Sequence, residues 1–387
     1  MLKILYFQSI LIQGLLVNMV QGLASKTGSS QVLSVGLAAV DFVATVDHFP
    51  SPDEKMRSSS LIVEGGGNAA NTACAIAGMA PFVGGSTLLT AVGEDANGKT
   101  IIDGLEQRNV QVLAEKYPGT SPFSYIINTD IDGDNTRTIV HQPSSGDLTV
   151  DYVLDQSLDK YTLAHFDVRY PEAAVELAQK LREMKLPYAV DVERPREGLK
   201  EIMEGASIVI CNSEYCKNVD EEGDDDTDPM ERLIRVMNKQ APNAKIALQT
   251  VGGKGSILVC WDKDDNPRAL ELDGKKLGDH GDKNAPKVTA TPGGGLLCPP
   301  FGGCKVVDTT GAGDSFIGGF LSAISAVLAN GNDGIESISS DPVVLARAMR
   351  IGSRVAGKKI AKPGARSGLP LAEDDEFLKA EFSAMLK

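Results

Sequence analysis

From residue 31 onward, short apolar runs alternate with segments of helical period, and that rhythm narrows the fold to a parallel sheet covered by helices on both faces. "VLSVGLAAV" (32–40), "FVGGSTLLTAV" (82–92), "YAVDV" (188–192), "SIVIC" (207–211), "KIALQT" and "GSILVC" read as strands. "NAANTACAIAGMA" (68–80) and "PEAAVELAQKLREMKL" (171–186) read as helices, the first small enough in its side chains to pack closely. Each is one layer of a βαβ unit. The pattern predicts an α/β protein of three layers, with one large domain over residues 31–370.

Two stretches break the rhythm. Residues 42–64 and 121–141 alternate apolar with polar residues, as strands do when one face is wet, and "DIDGDN" makes the second a hairpin. They predict a small β-sheet projecting from the body, either a lid or a static extension. Residues 262–304, rich in Asp, Lys, Gly and Pro, read as a surface insertion, and 371–387 as a C-terminal tail. Residues 1–30 hold two lysines, no acid and an apolar stretch interrupted by Gln8, Gln13 and Asn18. They read as a targeting or disordered segment, or as residues ahead of a start at Met19, and are too interrupted for a stable membrane span. The expected location is the cytoplasm, with a plastid or other organelle as the alternative if that segment is an address.

A net charge of −14 argues against nucleic acid or anionic membranes as partners, though it leaves room for a small anion read by a local field. Six scattered cysteines without a C-x-x-C pair, and only four histidines, indicate neither a zinc site nor a disulfide framework.

The chemistry concentrates in "VVDTTGAGDSF" (306–316), a strand, a glycine turn and the start of an apolar helix. Gly311 and Gly313 let a ligand approach the backbone, where N–H groups at a helix start favour an anion. Asp314 either caps that helix or takes the proton of a hydroxyl attacking phosphorus there. In "EGGGNAANTA" (64–73), Gly66 and Gly67 lead into a helix with Asn68 and Asn71 three apart on one face. Their amides suit neighbouring sugar hydroxyls, and Asp41, expected at the end of the first strand, adds an acceptor. "TVGGKGS" (250–256) is a glycine turn that serves either nucleotide phosphates or a plain hairpin. Neither a P-loop nor a strand-linked G-x-G-x-x-G fingerprint is present.

"GGGNAAN", "TVGGKG" and "DTTGAGDSF", in this order and spacing, resemble the ribokinase-like (PfkB) carbohydrate kinases from about Val32 to Pro370. "NTRTIV", "DVERPRE" and "RVAGKK" are most similar to the family's ketohexokinases. "SPFSYII" and "GARSGLP" are closer to its plant and algal members.

The resemblance implies the ribokinase-like α/β/α fold and an enzyme moving the γ-phosphate of ATP to a hydroxyl of a small sugar, a ketohexose or ribose first. The alternatives are a nucleoside, inositol or sugar-phosphate kinase, or a regulatory protein that keeps the fold. It implies Asp314 as base, Gly311, Ala312 and Gly313 as anion hole, and Arg137 at the transferring phosphate. Asp41, Gly66, Gly67, Asn68 and Asn71 would hold the sugar; Asn212, Thr250, Gly252 and Gly255 would lie by the nucleotide. Mg²⁺ is implied with ATP, K⁺ beside Asp308, Thr310 and Ala365, and a homodimer through the lid. Where many members carry N-x-x-E, this chain reads "NSEY", with Tyr215 in the glutamate position and Glu214 one place early.

Overall fold

The computed structural model describes residues 31–131, 134–224, 226–262, 267–331 and 334–387. The segment 1–30 and part of the hairpin turn therefore lie outside the described residues. The strands are β1 (Gln31–Val35), β2 (Ala39–Val46), β3 (Ser60–Gly66), β4 (Ser86–Gly93), β5 (Val110–Tyr117), β6 (Phe123–Ile131), β7 (Asp134–Gln142), β8 (Tyr161–Phe166), β9 (Tyr188–Val192), β10 (Ile208–Asn212), β11 (Ile246–Thr250), β12 (Ser256–Cys260), β13 (Thr289–Ala290) and β14 (Leu296–Cys298). Ten form a sheet ordered β13-β14-β12-β11-β10-β9-β8-β1-β4-β5, and four form a second sheet ordered β3-β2-β6-β7.

The large sheet is parallel from β5 through β11 and antiparallel at the β12, β14 and β13 edge. Helices cover both faces, giving the α/β/α layering expected from the sequence. One core packs Pro171–Glu183 and Pro229–Gln240 beneath the sheet; the other packs Ala312–Ala329, Pro342–Lys359 and Glu376–Met385 above it. Because β1 lies between β4 and β8, the strand order reverses there, and ligands settle beyond the strand ends at such a reversal.

The structure departs from the sequence reading in five places, one of them just ahead of the glycine turn, where Val306 and Val307 form no strand and lie exposed with no sheet neighbour to pair with. The run 32–40 is not one strand: β1 stops at Val35, and Asp41 lies in β2 of the small sheet. The break is at Gly36, where φ is 150° and a Cβ would come within 1.9 Å of the Asp167 carboxylate. Leu37 N–H donates to that carboxylate at 2.9 Å, which turns the chain out of the sheet. Residues 80–83 form a helical turn started by Pro81 and ended by left-handed Gly84, so β4 begins only at Ser86.

The stretch 262–304 is more than a surface loop, since β13 and β14 extend the sheet and Leu270, Leu277, Val288, Leu296 and Cys298 are buried. Its apolar residues are too widely spaced to show a period. The tail 371–387 folds as the helix Glu376–Met385, which buries Phe377, Leu378 and Phe382 and is capped by Asp375.

Candidate active site

Two helices set the site. Asn68–Ala77 packs against Ala312–Ala329 through small residues: a Cβ on Gly318 would come within 2.5 Å of Ala75 Cβ, so only glycine permits this approach. The contact carries Asn71 to Asp314, and Asn71 Nδ2 donates to Asp314 Oδ2 at 2.8 Å. Arg366 Nε donates to Asn71 Oδ1 at 2.7 Å, and Arg366 Nη2 to Gly66 O at 2.7 Å. This fixes the Asn71 amide so that its NH₂ faces the carboxylate.

Asp314 opens the Ala312–Ala329 helix behind Gly311, the N-cap, whose φ of 70° is left-handed. Burial pushes its carboxyl up to about 7, against the Asn71 hydrogen bond, which lowers it. A group poised there can accept a proton at neutral pH. The Ala312 N–H donates to Thr309 O at 3.1 Å, so the helix start offers its amides to a ligand from Gly313 onward. A Cβ added at Gly313 would meet nothing within 4 Å, which leaves room for a ligand.

Two cavities meet at this turn, sharing Thr309, Ala312 and Gly313. The first, about 700 Å³, is polar and brings together Asp41, Gly67, Asn68, Asn71, Arg137, Thr310, Asn212 and Asp314. The second, about 490 Å³, brings Thr250, Gly252 and Gly255 against Phe301, Val306 and Phe316. Asn212, the register partner of Thr250 across β10 and β11, lines the first cavity, while Thr250 lines the second. Asn212 Oδ1 caps the following helix by accepting the Tyr215 N–H at 2.7 Å. Tyr215 is buried in the core while Glu214 lines the first cavity, so "NSEY" still delivers a carboxylate there.

The small sheet closes the first cavity. Across its register, Glu64 pairs with Asp41, Asp41 with Ser124 and Ser124 with His141; Asn128 pairs with Arg137. Paired residues share a face, and Asp41, Ser124, His141 and Arg137 all line the cavity. Arg137 also hydrogen-bonds Thr310 of the glycine turn. Gly66 acts as a spacer, since a Cβ there would lie 2.2 Å from Asp41 Oδ2. Burial raises the Asp41 carboxyl, against Ser124, Arg366 and Arg137, which lower it.

Sequence reasoning missed Asp167, Arg169, Glu193, Arg194 and Arg366. Asp167 accepts hydrogen bonds from Leu37 N at 2.9 Å, Ala69 N at 3.2 Å and Arg169 N at 3.1 Å. It ties the ends of β1 and β8 to the start of the Asn68–Ala77 helix. Its place directly after β8 was the available signal, because strand carboxyl ends carry function in such sheets. Glu193 and Arg194, just past β9, line the first cavity with Arg169.

Asp308 lies under the turn. Thr310 N and Oγ1 donate to its Oδ1 at 2.8 and 2.6 Å, and Gly364 N to its Oδ2 at 2.7 Å. Burial acts to raise this carboxyl, but these bonds and the Lys359 charge outweigh it and hold it low. Ala365 N–H donates to Glu64 Oε1 at 3.2 Å.

The family model described as pfkB family carbohydrate kinase matches residues 29–270 and 281–372. The chain is 26% identical to a Mus musculus ketohexokinase over 348 residues, 86% of this chain and 97% of that protein. A Giardia lamblia ribokinase superposes with a TM-score of 0.69 at 18% identity, covering 92% of this chain and 99% of the other. An Arabidopsis thaliana ribokinase complexed with ribose and ATP superposes with a TM-score of 0.64 at 17% identity, covering 93% and 99%. Among the described residues, one helix is long and apolar enough to cross a membrane, Ala312–Ala329, and it is buried inside the domain.

Proposed function

The chain belongs to the pfkB family of carbohydrate kinases, and on that premise we propose that it transfers the γ-phosphate of ATP to a hydroxyl of a small uncharged sugar, a ketohexose or ribose. The observation that carries the reading is the junction: a buried carboxyl held near 7 lines a polar cavity one residue past Gly313, where that cavity meets an apolar one. The apolar cavity suits the base of a nucleotide, with glycines at its mouth that let phosphates approach the backbone. The polar one suits a polyol.

In this reading Asp314 takes the proton of the sugar hydroxyl as its oxygen bonds to the γ-phosphorus and the bond to the β-phosphate oxygen breaks. The Gly313 amide and Arg137 offset the charge that gathers on the transferring group. Asp41, Asn68 and Asn71 orient the acceptor. Glu193 and Glu214, with the Asn212 amide, supply the oxygen donors a Mg²⁺ ion prefers, and would hold one at the phosphates, where it neutralises charge.

The outer face of the small sheet supports a homodimer. Leu61, Val63, Tyr125 and Val140 fall on the face opposite Asp41 and are 63%, 52%, 54% and 57% exposed.

The test is sugar-dependent ADP release by the protein truncated before Ser30, with Mg²⁺ and ATP, across fructose, ribose, inositol, nucleosides and fructose 6-phosphate. Release with fructose or ribose that vanishes in Asp314→Asn supports the reading. A preference for a nucleoside, inositol or sugar phosphate replaces the acceptor, and ATP binding without release on any of them favours a regulatory protein.

A further inference from the structure

The family resemblance puts a monovalent cation beside Asp308, Thr310 and Ala365, and the groups found there do not fit one. Each oxygen of Asp308 already faces a donor: Thr310 N and Oγ1 at Oδ1, Gly364 N at Oδ2, and Lys359 Nζ at the main-chain oxygen, 2.7 Å away. Ala365 turns its N–H to Glu64. The Lys359 side chain is fully buried at the end of the Pro342–Lys359 helix. Burial, with the Arg137 charge, lowers the pKa of its ammonium, and the carboxylates of Asp308, Glu64 and Asp314 act against that by setting opposite charge around it.

A lysine ammonium is a compact monovalent cation with three donors. Buried charge is retained where polar and oppositely charged groups meet it, and this one donates to the Asp308 main-chain oxygen with carboxylates nearby, under the turn that presents Gly313 and Asp314 to the substrate. A second cation at Asp308 O would meet the ammonium at close range in a poorly solvated place.

We propose that the Lys359 ammonium takes the place of the monovalent cation, so that this kinase orders its glycine turn without K⁺. The tether makes occupancy independent of salt. Lys359 fixes the Asp308 carbonyl, and through Asp308 the Thr310 and Gly364 backbone on either side of the turn. Its ammonium also sets a positive charge behind the site where phosphate charge gathers. Lys359 is thus a positioning residue.

The inference rests on the kinase reading for its activity measurement only. ADP release and Tm are measured for the full chain in KCl and in tetramethylammonium chloride at equal ionic strength, for wild type, Lys359→Ala and Lys359→Met. Methionine keeps the packing of the stem and removes the charge. Wild type is expected to turn over within about twofold in the two salts, with the same Tm, because an occupied site binds no further cation.

Lys359→Ala is expected to lose on the order of tenfold or more in tetramethylammonium, to recover in K⁺, and to gain Tm with K⁺. A wild type that needs K⁺ overturns the proposal, and so do variants whose rate and Tm ignore K⁺. If no sugar elicits ADP release, the kinase reading falls while the Tm comparison still decides the role of Lys359. If Lys359→Ala does not fold, Lys359→Met carries the same comparison.

Discussion

Asn71 and Asp314, 243 residues apart in the chain, are joined by a 2.8 Å hydrogen bond from the Asn71 amide to the Asp314 carboxylate. That bond favours the ionised form, while burial favours the protonated form and wins, leaving the group at about 7. A base must be deprotonated to act, so kcat/KM should rise with pH and level off above about 7. Asn71→Ala removes a stabiliser of the carboxylate and should move that rise to higher pH. The pH profile of kcat/KM for the two proteins checks it; a lower rate with an unmoved midpoint would separate Asn71 from the ionisation of Asp314.

Asp314→Asn should lower turnover on the order of a hundredfold or more while the protein still binds nucleotide. It should also stabilise the fold at neutral pH. The carboxyl rises from its ordinary 3.8 to about 7 on folding, so the folded state holds its proton more tightly than the unfolded state does. Stability is therefore fully present below 3.8 and declines as pH rises to about 7. The loss amounts to roughly 4 kcal/mol at most, taking about 1.4 kcal/mol per pH unit. Asparagine does not ionise, so the Tm of the variant minus that of wild type should grow between pH 4 and pH 8. A constant difference would show that Asp314 does not carry the shift.

Gly313→Ala separates folding from function. The position is helical, and an added Cβ meets no atom within 4 Å, so the fold loses nothing and gains about 1 kcal/mol of helix propensity. The space that methyl would fill belongs to both cavities. An unchanged or higher Tm with turnover down on the order of a hundredfold is expected, since an obstructed amide no longer reaches the phosphate. Normal turnover would mean that the phosphate lies elsewhere.

What could be read in the sequence was local. The glycine turn and its helix follow one another within 308–329, though the apolar run ahead of the turn forms no strand, and Asn68 and Asn71 share a helix face whatever lies opposite. What could not be read was pairing at a distance. Arg366 looks like one residue of a polar loop, and only the fold places it behind Asn71, 295 residues away. Asp167 is one acid among many until β8 ends beside β1. The placement of Asp41 depended on Gly36, a single residue whose conformation moved the following strand into another sheet. The strands inside 262–304 span two and three residues, too few to establish a period of two.

The small sheet makes the remaining prediction, because the face turned away from the cavity gathers exposed apolar side chains. Asp41, Ser124, Arg137 and His141 face the cavity, while Phe42, Val63, Tyr125 and Val140 pair across the strands on the other side. Phe42 packs on Phe123 and Tyr125 with ring centroids 5.9 and 5.7 Å apart, so the outer face is ordered rather than a scatter of side chains. Val63 and Tyr125 stay more than half exposed in one chain, an arrangement that a second copy would relieve. Val63→Glu on that face should yield a monomer by sedimentation. Burying an unpaired carboxylate in the joint would oppose assembly, whereas in the monomer it meets water. If the sheet must be braced by its partner to hold Arg137 at the turn, the monomer should also show a lower kcat. A wild type that sediments as a monomer would assign the outer face to some other partner, and a Val63→Glu dimer would place the contact elsewhere on the surface.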